Sequence, residues 1–202
     1  MKEHKWSKLA EAFDYAAMEH QHQLRKSTDI PYISHLMSVS ALVMEHGGNE
    51  DQAIAGLLHD VIEDADPAAH IPNVRAEILK RFGAKVLELV EGCTDGEPDA
   101  RGNKSDWKAR KVAYLANLED KPDDLLLVSC CDKLHNARAI LTDLVTHGDK
   151  VFDRFTAKQS ETIWYYRSLS EVFSRRLKRS RPEIAARELS FTVSEIERLA
   201  KD

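Results

Sequence analysis

The segment LLHDVIEDAD concentrates acidic residues directly after an apolar run. It places His59 beside Asp60 and adds Glu63, Asp64 and Asp66 within two helical turns. Like charges at this spacing repel one another, so the arrangement is destabilising unless a cation or a proton offsets it. An imidazole next to a carboxylate suits a hard or borderline divalent cation. The segment therefore predicts part of a metal site.

Two further candidate ligands interrupt apolar segments elsewhere in the chain. His35 follows PYIS, and Asp132 follows the run LLLVSCC. Burying a lone charge is expensive, and a metal shared with His59 and Asp60 would satisfy both residues. Each also has a simpler interpretation: His35 as a satisfied core or surface histidine, and Asp132 as an ion-pair partner of Lys133 or Arg138. Spacing alone leaves these alternatives open.

The positions of these residues depend on helices, because the hydrophobic period is helical almost everywhere. No run shows sustained period-two alternation and no internal repeat is present, which predicts an all-α fold with residues 1–202 as a single domain. The first predicted helix ends near Gln21, the second contains residues 33–43, and the third runs from Glu50 towards Glu63. Further helices are predicted at 78–82, 86–90 and 106–118, in a segment that opens at Pro122, and at 156–179 and 182–201. Asp66–Pro67 is expected to break the third, and 94–105 to form a flexible loop.

Composition limits the class of protein. The chain has 202 residues, 43% of them hydrophobic and 31% charged, as is typical of one globular domain. A net charge of -5 argues against a nucleic-acid partner. No apolar run approaches the roughly 20 residues that cross a bilayer, and the polar N-terminus lacks the apolar core of a signal peptide. We therefore expect no membrane partner.

The cysteines and the remaining histidines are expected to be structural. Cys93, Cys130 and Cys131 give an odd count without a CxxC pattern, which predicts buried, reduced thiols in a cytoplasmic protein. Six other histidines lack a chemical context and are predicted to lie on the surface; they are His4, His20, His22, His46, His70 and His147.

Four strings together carry a family resemblance: HLMSVSALVMEHGG, IAGLLHDVIEDAD, FGAKVLELVEGCTD and CDKLHNARAIL. In this order they resemble the HD-domain hydrolases of the RelA/SpoT type, and most of all the stand-alone small alarmone hydrolases. HDxxED with DKLHN separates this branch from generic HD proteins. The resemblance implies an all-helical bundle that binds manganese. Its implied ligands are His35, His59, Asp60 and Asp132.

The same resemblance implies roles for the acids that follow His59 and Asp60. Glu63 and Asp64 match the family's water-activating pair. On a continuous helix each would lie one turn beyond His59 or Asp60 and project beside the ion, where it could orient and deprotonate the attacking water. The alternative is that the acids merely solvate a helix end.

Substrate contacts are also implied by the resemblance. The loop Arg25–Lys26–Ser27 precedes PYISH as the family's nucleotide loop does, with Arg25 stacking on the base and Lys26 meeting phosphate. A basic surface pair is the alternative. Asn136 and Tyr166 match two further nucleotide contacts, Lys104 and Lys111 are weaker phosphate candidates, and Trp164 and Tyr165 are expected to pack between helices. Asp29–Ile30 stands where the family often has a glycine, so we expect a differently shaped loop.

The implied activity is manganese-dependent hydrolysis of the ribose 3′-diphosphate of an alarmone such as (p)ppGpp, which yields GDP or GTP and pyrophosphate. With 202 residues the chain is expected to lack a synthetase domain. Alternatives are hydrolysis of another ribose-phosphorylated nucleotide, such as (p)ppApp or the 2′-phosphate of NADPH, and a nucleotide-binding sensor without turnover. Glu63 and Asp64 argue against the sensor, since a binder needs no water-activating pair.

Overall fold

The computed structural model describes residues 6–65, 67–94, 96, 106–178 and 180–200. Within these residues the all-α prediction is confirmed. The helices are α1 (Ser7–Glu19), α2 (Ile33–Glu45), α3 (Glu50–Leu58), α4 (Ile71–Phe82), α5 (Ala84–Cys93), α6 (Trp107–Leu118), α7 (Asp123–His147), α8 (Gln159–Arg176) and α9 (Ser180–Leu199), with 3₁₀ turns at Ala68–His70 and Gly148–Arg154. Most of the predicted loop at 94–105, including Lys104, lies outside the described residues.

The chain divides into two compact units, Met1–Ser105 and Asp106–Asp202. The first contains α1 to α5 and the second contains α6 to α9. The prediction that residues 1–202 form one domain stays a prediction.

In the first unit, α3 packs against α1, α2 and α5. The approach to α2 is close: a Cβ added at Gly56 would lie 3.0 Å from the Cα of Ser40. The Ser40 hydroxyl donates to the carbonyl of Ala53 at 2.8 Å, which satisfies a buried polar group at the same contact. A glycine at this position therefore permits the close approach of the two helices. This contact matters for the site because α2 carries His35 and α3 leads directly into His59.

Helix α3 begins as its sequence indicates. The Asn49 side chain accepts a hydrogen bond from the backbone N–H of Gln52 at 3.0 Å, and the Gln52 side chain accepts from the backbone N–H of Asn49 at 2.9 Å. This reciprocal pair satisfies two backbone donors that the first turn of a helix leaves unpaired. Asn49 is therefore the N-cap of α3.

The predicted end of α3 near Glu63 is wrong, because the helix stops at Leu58 and residues 59–64 form successive turns. The backbone tightens there, since the Val61 N–H donates to the Leu58 carbonyl at 3.1 Å. The negative end of a helix macrodipole disfavours carboxylates, so Asp60, Glu63 and Asp64 oppose continuation. The helix therefore ends before Pro67, and Asp66, which was expected to break it, lies outside the described residues.

In the second unit, α7 packs against α8 and α9, and α6 packs against α8. Residues 125–132 of α7 are buried without interruption, and Asp132 closes this buried run. The Arg176 guanidinium of α8 donates to the carbonyl oxygens of Leu118 at 3.0 Å and Lys121 at 2.9 Å. These bonds satisfy carbonyls after the last turn of α6 and fix α6 on α8.

Burial confirms one group of predictions and corrects another. Cys93, Cys130 and Cys131 are free and buried, as predicted. His20 and His46 were expected on the surface but are 4% and 6% exposed. The His20 ring is covered by Tyr32, a partner too distant in sequence for a local pattern to reveal. No helix within the described residues is long and apolar enough to span a membrane.

Candidate active site

His59 lies immediately after α3, and both of its ring nitrogens face polar atoms. Nδ1 is 3.0 Å from the carbonyl oxygen of Gly56, which can only accept, so Nδ1 carries a proton. Nε2 is 3.0 Å from Oδ2 of Asp60. An imidazole whose Nδ1 donates to a backbone carbonyl presents an Nε2 lone pair, and this is the usual arrangement of a histidine that ligates a metal.

Several side chains of the first unit approach one atom, Oδ2 of Asp60. The Tyr32 hydroxyl donates to it at 2.5 Å, and Nε2 of His35 lies 3.8 Å away. His35 is fully buried, and its ring meets the His59 ring edge-on with centroids 5.1 Å apart. Two ligands at right angles around a cation with bonds of about 2.1 Å are about 3 Å apart. The spacing of His59 and Asp60 therefore fits a divalent cation.

Asp132 is held inside the second unit by two neighbours on its own helix. Lys133 Nζ lies 2.6 Å from Oδ2, and the Asn136 amide donates to Oδ1 at 2.6 Å. Burial by itself lowers the pKa of Lys133, but the Asp132 carboxylate outweighs this effect and holds that pKa well above its usual value. Of the two ion-pair partners considered for Asp132, Lys133 is therefore present, whereas Arg138 pairs with Glu188.

The donor chemistry of the candidate ligands suits a divalent metal. His35, His59 and Asp132 are all buried and each offers one ligand atom. Two imidazole nitrogens and a carboxylate oxygen form a set that manganese, iron, cobalt and zinc accept. The donor types therefore support a metal centre without selecting one element.

The two acids proposed to activate water lie in the turns after α3. The backbone N–H of Asp64 donates to the Asp60 carbonyl at 2.8 Å, so these two residues keep a one-turn spacing although the helix has ended. Oδ2 of Asp64 accepts a 2.9 Å hydrogen bond from the Gln23 amide. Glu63 is half-buried and Asp64 is exposed. Asp64 can therefore reach solvent while one of its oxygens is held.

The predicted nucleotide loop is closed at its base by an isolated bridge between Leu24 and Pro31. Within it the Arg25 N–H donates to the Ile30 carbonyl at 2.8 Å, and the Arg25 guanidinium lies 5.8 Å from the centre of the Tyr32 ring. Ser27 has φ of 58°, a left-handed conformation uncommon outside glycine. Such strain clusters at ligand clamps, and Ser27 takes the conformation in a loop that has no glycine.

The aromatic segment of α8 lies in the second unit. Tyr165 is buried and its ring meets Trp107 edge-on at 5.9 Å, so the packing role predicted for it is confirmed. Lys108 Nζ lies 3.0 Å from the centre of the Trp164 ring, a cation–π contact. Lys111, a weaker phosphate candidate, has its ammonium 4.9 Å from the Tyr165 ring. Tyr166 is half-buried with its ring 5.8 Å from that of Tyr165.

The profile of one protein family spans both units. The HD domain matches residues 12–163, a range that includes every candidate ligand and both acids. The chain belongs to the HD-domain family. The matched range runs from within α1 into α8, and the all-helical architecture of the described residues agrees with an HD domain.

Curated relatives that match this HD domain are named as alarmone hydrolases, which confirms the resemblance to the RelA/SpoT type. The chain is 33% identical over 133 residues to the guanosine-3′,5′-bis(diphosphate) 3′-pyrophosphohydrolase of Aquifex aeolicus (strain VF5). It is 32% identical over 132 residues to the probable enzyme of that name from Synechocystis sp.. Both alignments cover 65% of this chain but only 18% and 16% of the relatives' own length.

Solved structures extend the likeness over nearly the whole HD-domain chain. A metazoan ortholog of SpoT, which hydrolyses ppGpp, superposes with a TM-score of 0.68 and 25% identity. The match covers 93% of this chain and 96% of that one. The lmo0812 protein of Listeria monocytogenes EGD-e superposes with a TM-score of 0.64 at 22% identity over 79% of this chain and 99% of that one, which shows the shared fold.

Three residues around the candidate site escaped the sequence reasoning. Tyr32 bonds Asp60, Gln23 bonds Asp64, and His20 contacts both Tyr32 and Gln23. Their only signal in the sequence is that they flank the Arg25–Lys26 loop. None is a charged group within an apolar run, which was the criterion that found the candidate ligands.

Proposed function

We propose that this HD-domain protein is a manganese-dependent phosphohydrolase that removes the ribose 3′-diphosphate of a nucleotide alarmone such as (p)ppGpp. The products are GDP or GTP and pyrophosphate. The observation that carries the proposal is the convergence of His35, His59 and Tyr32 on Oδ2 of Asp60. Its biological setting is proposed to be the cytoplasm, which is consistent with the three free, buried cysteines.

The proposed metal ligands are His35, His59, Asp60 and Asp132. When bound, the ion would lower the pKa of a coordinated water and neutralise charge that develops on the phosphate. His59 contributes a lone pair on Nε2, because its Nδ1 is committed to the Gly56 carbonyl. Asn136 and Lys133 contact the two oxygens of the Asp132 carboxylate and orient it.

Glu63 and Asp64 are proposed to take the proton from the attacking water. The water oxygen forms a bond to the 3′-linked phosphorus, and the bond from that phosphorus to the ribose 3′ oxygen breaks. The ribose oxygen takes up a proton to become the 3′ hydroxyl of GDP or GTP, and pyrophosphate is released. A general base of this kind contributes about 10²- to 10⁴-fold to the rate. Asp64 suits the role because one of its oxygens is fixed by Gln23 and the residue remains accessible to water.

Nucleotide binding is proposed for Arg25, Lys26, Ser27, Asn136 and Tyr166. The Arg25 guanidinium already lies near an aromatic ring, that of Tyr32, and can stack on a base in the same manner. Lys26 is exposed and can meet phosphate. Asn136 carries two proposed roles, since its amide donates to Asp132 and the same side chain is proposed to contact the nucleotide.

A nucleotide panel tests the proposal against its alternatives. Purified protein loaded with manganese is incubated with ppGpp, pppGpp, ppApp and NADPH, and released pyrophosphate and phosphate are measured separately. Pyrophosphate from a guanine alarmone is the expected result. Phosphate from NADPH alone would reassign the substrate, and nucleotide binding without either product would indicate a sensor. Parallel loading with zinc, cobalt and magnesium tests the preference for manganese.

A further inference from the structure

His20 is a buried histidine that the proposed chemistry does not use. It lies just after α1, is 4% exposed, and stacks on the Tyr32 ring with centroids 5.2 Å apart and an angle of 30° between planes. Its Nδ1 is 2.5 Å from Oε1 of Gln23. The ring is therefore fixed by a stacking contact on its face and a short hydrogen bond on its edge.

The direction of each hydrogen bond in the series His20–Gln23–Asp64 follows from the Asp64 carboxylate at its end. An ionised Asp64 can only accept, so Gln23 must present its amide nitrogen, which lies 2.9 Å from Oδ2. The Gln23 carbonyl oxygen then faces His20, and Nδ1 of His20 must donate the proton. Nε2 of His20 is buried and has no hydrogen-bond partner among the described residues. A proton there would be an unsatisfied buried donor, so a single proton on Nδ1 accounts for both nitrogens.

A second series of contacts leads from the His20 ring to Asp60. Tyr32, which stacks on His20, donates its hydroxyl to Oδ2 of Asp60 at 2.5 Å. The Tyr32 ring also meets the His35 ring edge-on with centroids 5.5 Å apart. Displacement of His20 would therefore release both the amide that holds Asp64 and the phenol that holds Asp60.

We propose that His20 is a positioning residue that orients Asp64 through Gln23 and Asp60 through Tyr32. The inference rests on the proposed function, in which Asp64 is a base and Asp60 a metal ligand. Asp64 lies on an exposed turn and would otherwise sample several rotamers, only some of which can reach the attacking water. Removing hydrogen bonds that orient site residues costs about 10- to 100-fold in metal affinity or activity. We expect an effect of that size here.

The test compares variants that keep or remove the Nδ1 donor. His20→Asn retains an N–H close to the position of Nδ1, whereas His20→Leu fills similar space without a donor. Gln23→Met keeps the chain length and removes both amide hydrogen bonds. His22→Leu is the matched control, because His22 is exposed and only two residues away.

The first measurement is independent of activity. Nitrogen-15 NMR of histidine-labelled protein should show His20 protonated on Nδ1 alone, with its signals assigned by their loss in His20→Asn. The signature should change in Gln23→Met and persist in His22→Leu. A proton on Nε2 in the wild-type protein would overturn the proposed hydrogen-bond chain.

The second measurement is steady-state kinetics with manganese and ppGpp. We expect kcat to fall about 10-fold or more in His20→Leu and Gln23→Met, with KM nearly unchanged, and to recover largely in His20→Asn. Should His20→Leu fail to fold, Gln23→Met and His20→Asn carry the comparison. If the wild type is active and Gln23→Met has an undiminished kcat, the positioning role of His20 is refuted and the proposed function stands. If the wild type is inactive, both the proposed function and this inference are refuted.

Discussion

Nε2 of His59 lies 3.0 Å from Oδ2 of Asp60, although the two residues are adjacent in the chain. Neighbouring side chains on an ideal helix diverge by about 100°. They approach here where α3 ends at Leu58, because His59 is hydrogen-bonded to the Gly56 carbonyl and Tyr32 donates to the same Asp60 oxygen. An imidazole lone pair facing a carboxylate oxygen is unfavourable without a cation or a proton between them, and this leads to the first prediction.

Replacing a proposed ligand should remove the metal and the activity together. His59→Ala and Asp132→Ala should each lose bound manganese in elemental analysis and lose hydrolysis of ppGpp. Manganese at 100 times its dissociation constant should stabilise the wild type by about 2.7 kcal/mol and raise its melting temperature. His147→Ala is the control, since His147 is exposed at the end of α7. A wild type that stays metal-free under manganese saturation would refute the metal centre.

Neutralising the two acids should separate catalysis from binding. Glu63→Gln and Asp64→Asn keep the size of each side chain while removing the base, so kcat should fall by about 10²-fold or more. Metal content and nucleotide affinity should be retained. The double variant should lose less than the product of the two single effects, because both acids act on one water.

Two outcomes would contradict this assignment of the acids. Loss of manganese in Glu63→Gln would move Glu63 into the ligand set. Full activity in both variants would mean that the acids only solvate the turns after α3. Metal analysis and steady-state kinetics on the same preparations decide between these results.

The Arg25–Lys26 loop should control affinity and base preference. Lys26→Ala should mainly raise KM through a lost phosphate contact, and Arg25→Ala should weaken binding and reduce discrimination between guanine and adenine. Kinetics with ppGpp and ppApp provide the measurement. Lys80→Ala is the control, since the Lys80 side chain is 77% exposed on α4. Unchanged parameters in both loop variants would make the pair an ordinary basic surface.

Asn136→Ala should lower metal affinity by about 10-fold, because the amide that orients Asp132 from 2.6 Å is lost. Isothermal titration with manganese measures the effect in the absence of nucleotide. Arg138→Ala on the same helix is the control, as Arg138 pairs with Glu188 instead. A variant with normal metal affinity but a raised KM would confine Asn136 to the nucleotide.

Gly56→Ala should destabilise the first unit. The added Cβ would lie 3.0 Å from the Cα and 3.2 Å from the backbone nitrogen of Ser40, so the backbone of α2 at this contact must shift to make room. Overpacking of this kind costs about 1–3 kcal/mol. Because the same contact sets the spacing of His35 and His59, manganese affinity should also fall. Urea unfolding with and without manganese provides the measurement, and unchanged stability would show that the helices can adjust.

The helices and the residues that begin or end them could be predicted from local patterns in the sequence. Pro122 precedes α7 as predicted, Asn49 caps α3, and Gly83 separates α4 from α5 with φ of 94°. These features depend on the conformational preferences of single residues and on hydrogen bonds between residues close in sequence. Both can be read from the sequence alone. The candidate ligands were equally visible, because a polar group in an apolar run requires a partner wherever the chain folds.

Tertiary structure decided how the acids and their neighbours are held. The sequence pattern continued α3 towards Glu63 and placed His20 on the surface, whereas the fold ends the helix at Leu58 and buries His20 against Tyr32. Gln23 reaches Asp64 across 41 positions in the chain. Stacking and side-chain hydrogen bonds between such distant residues have no periodicity, so they form only after packing has brought α1, α2 and α3 together.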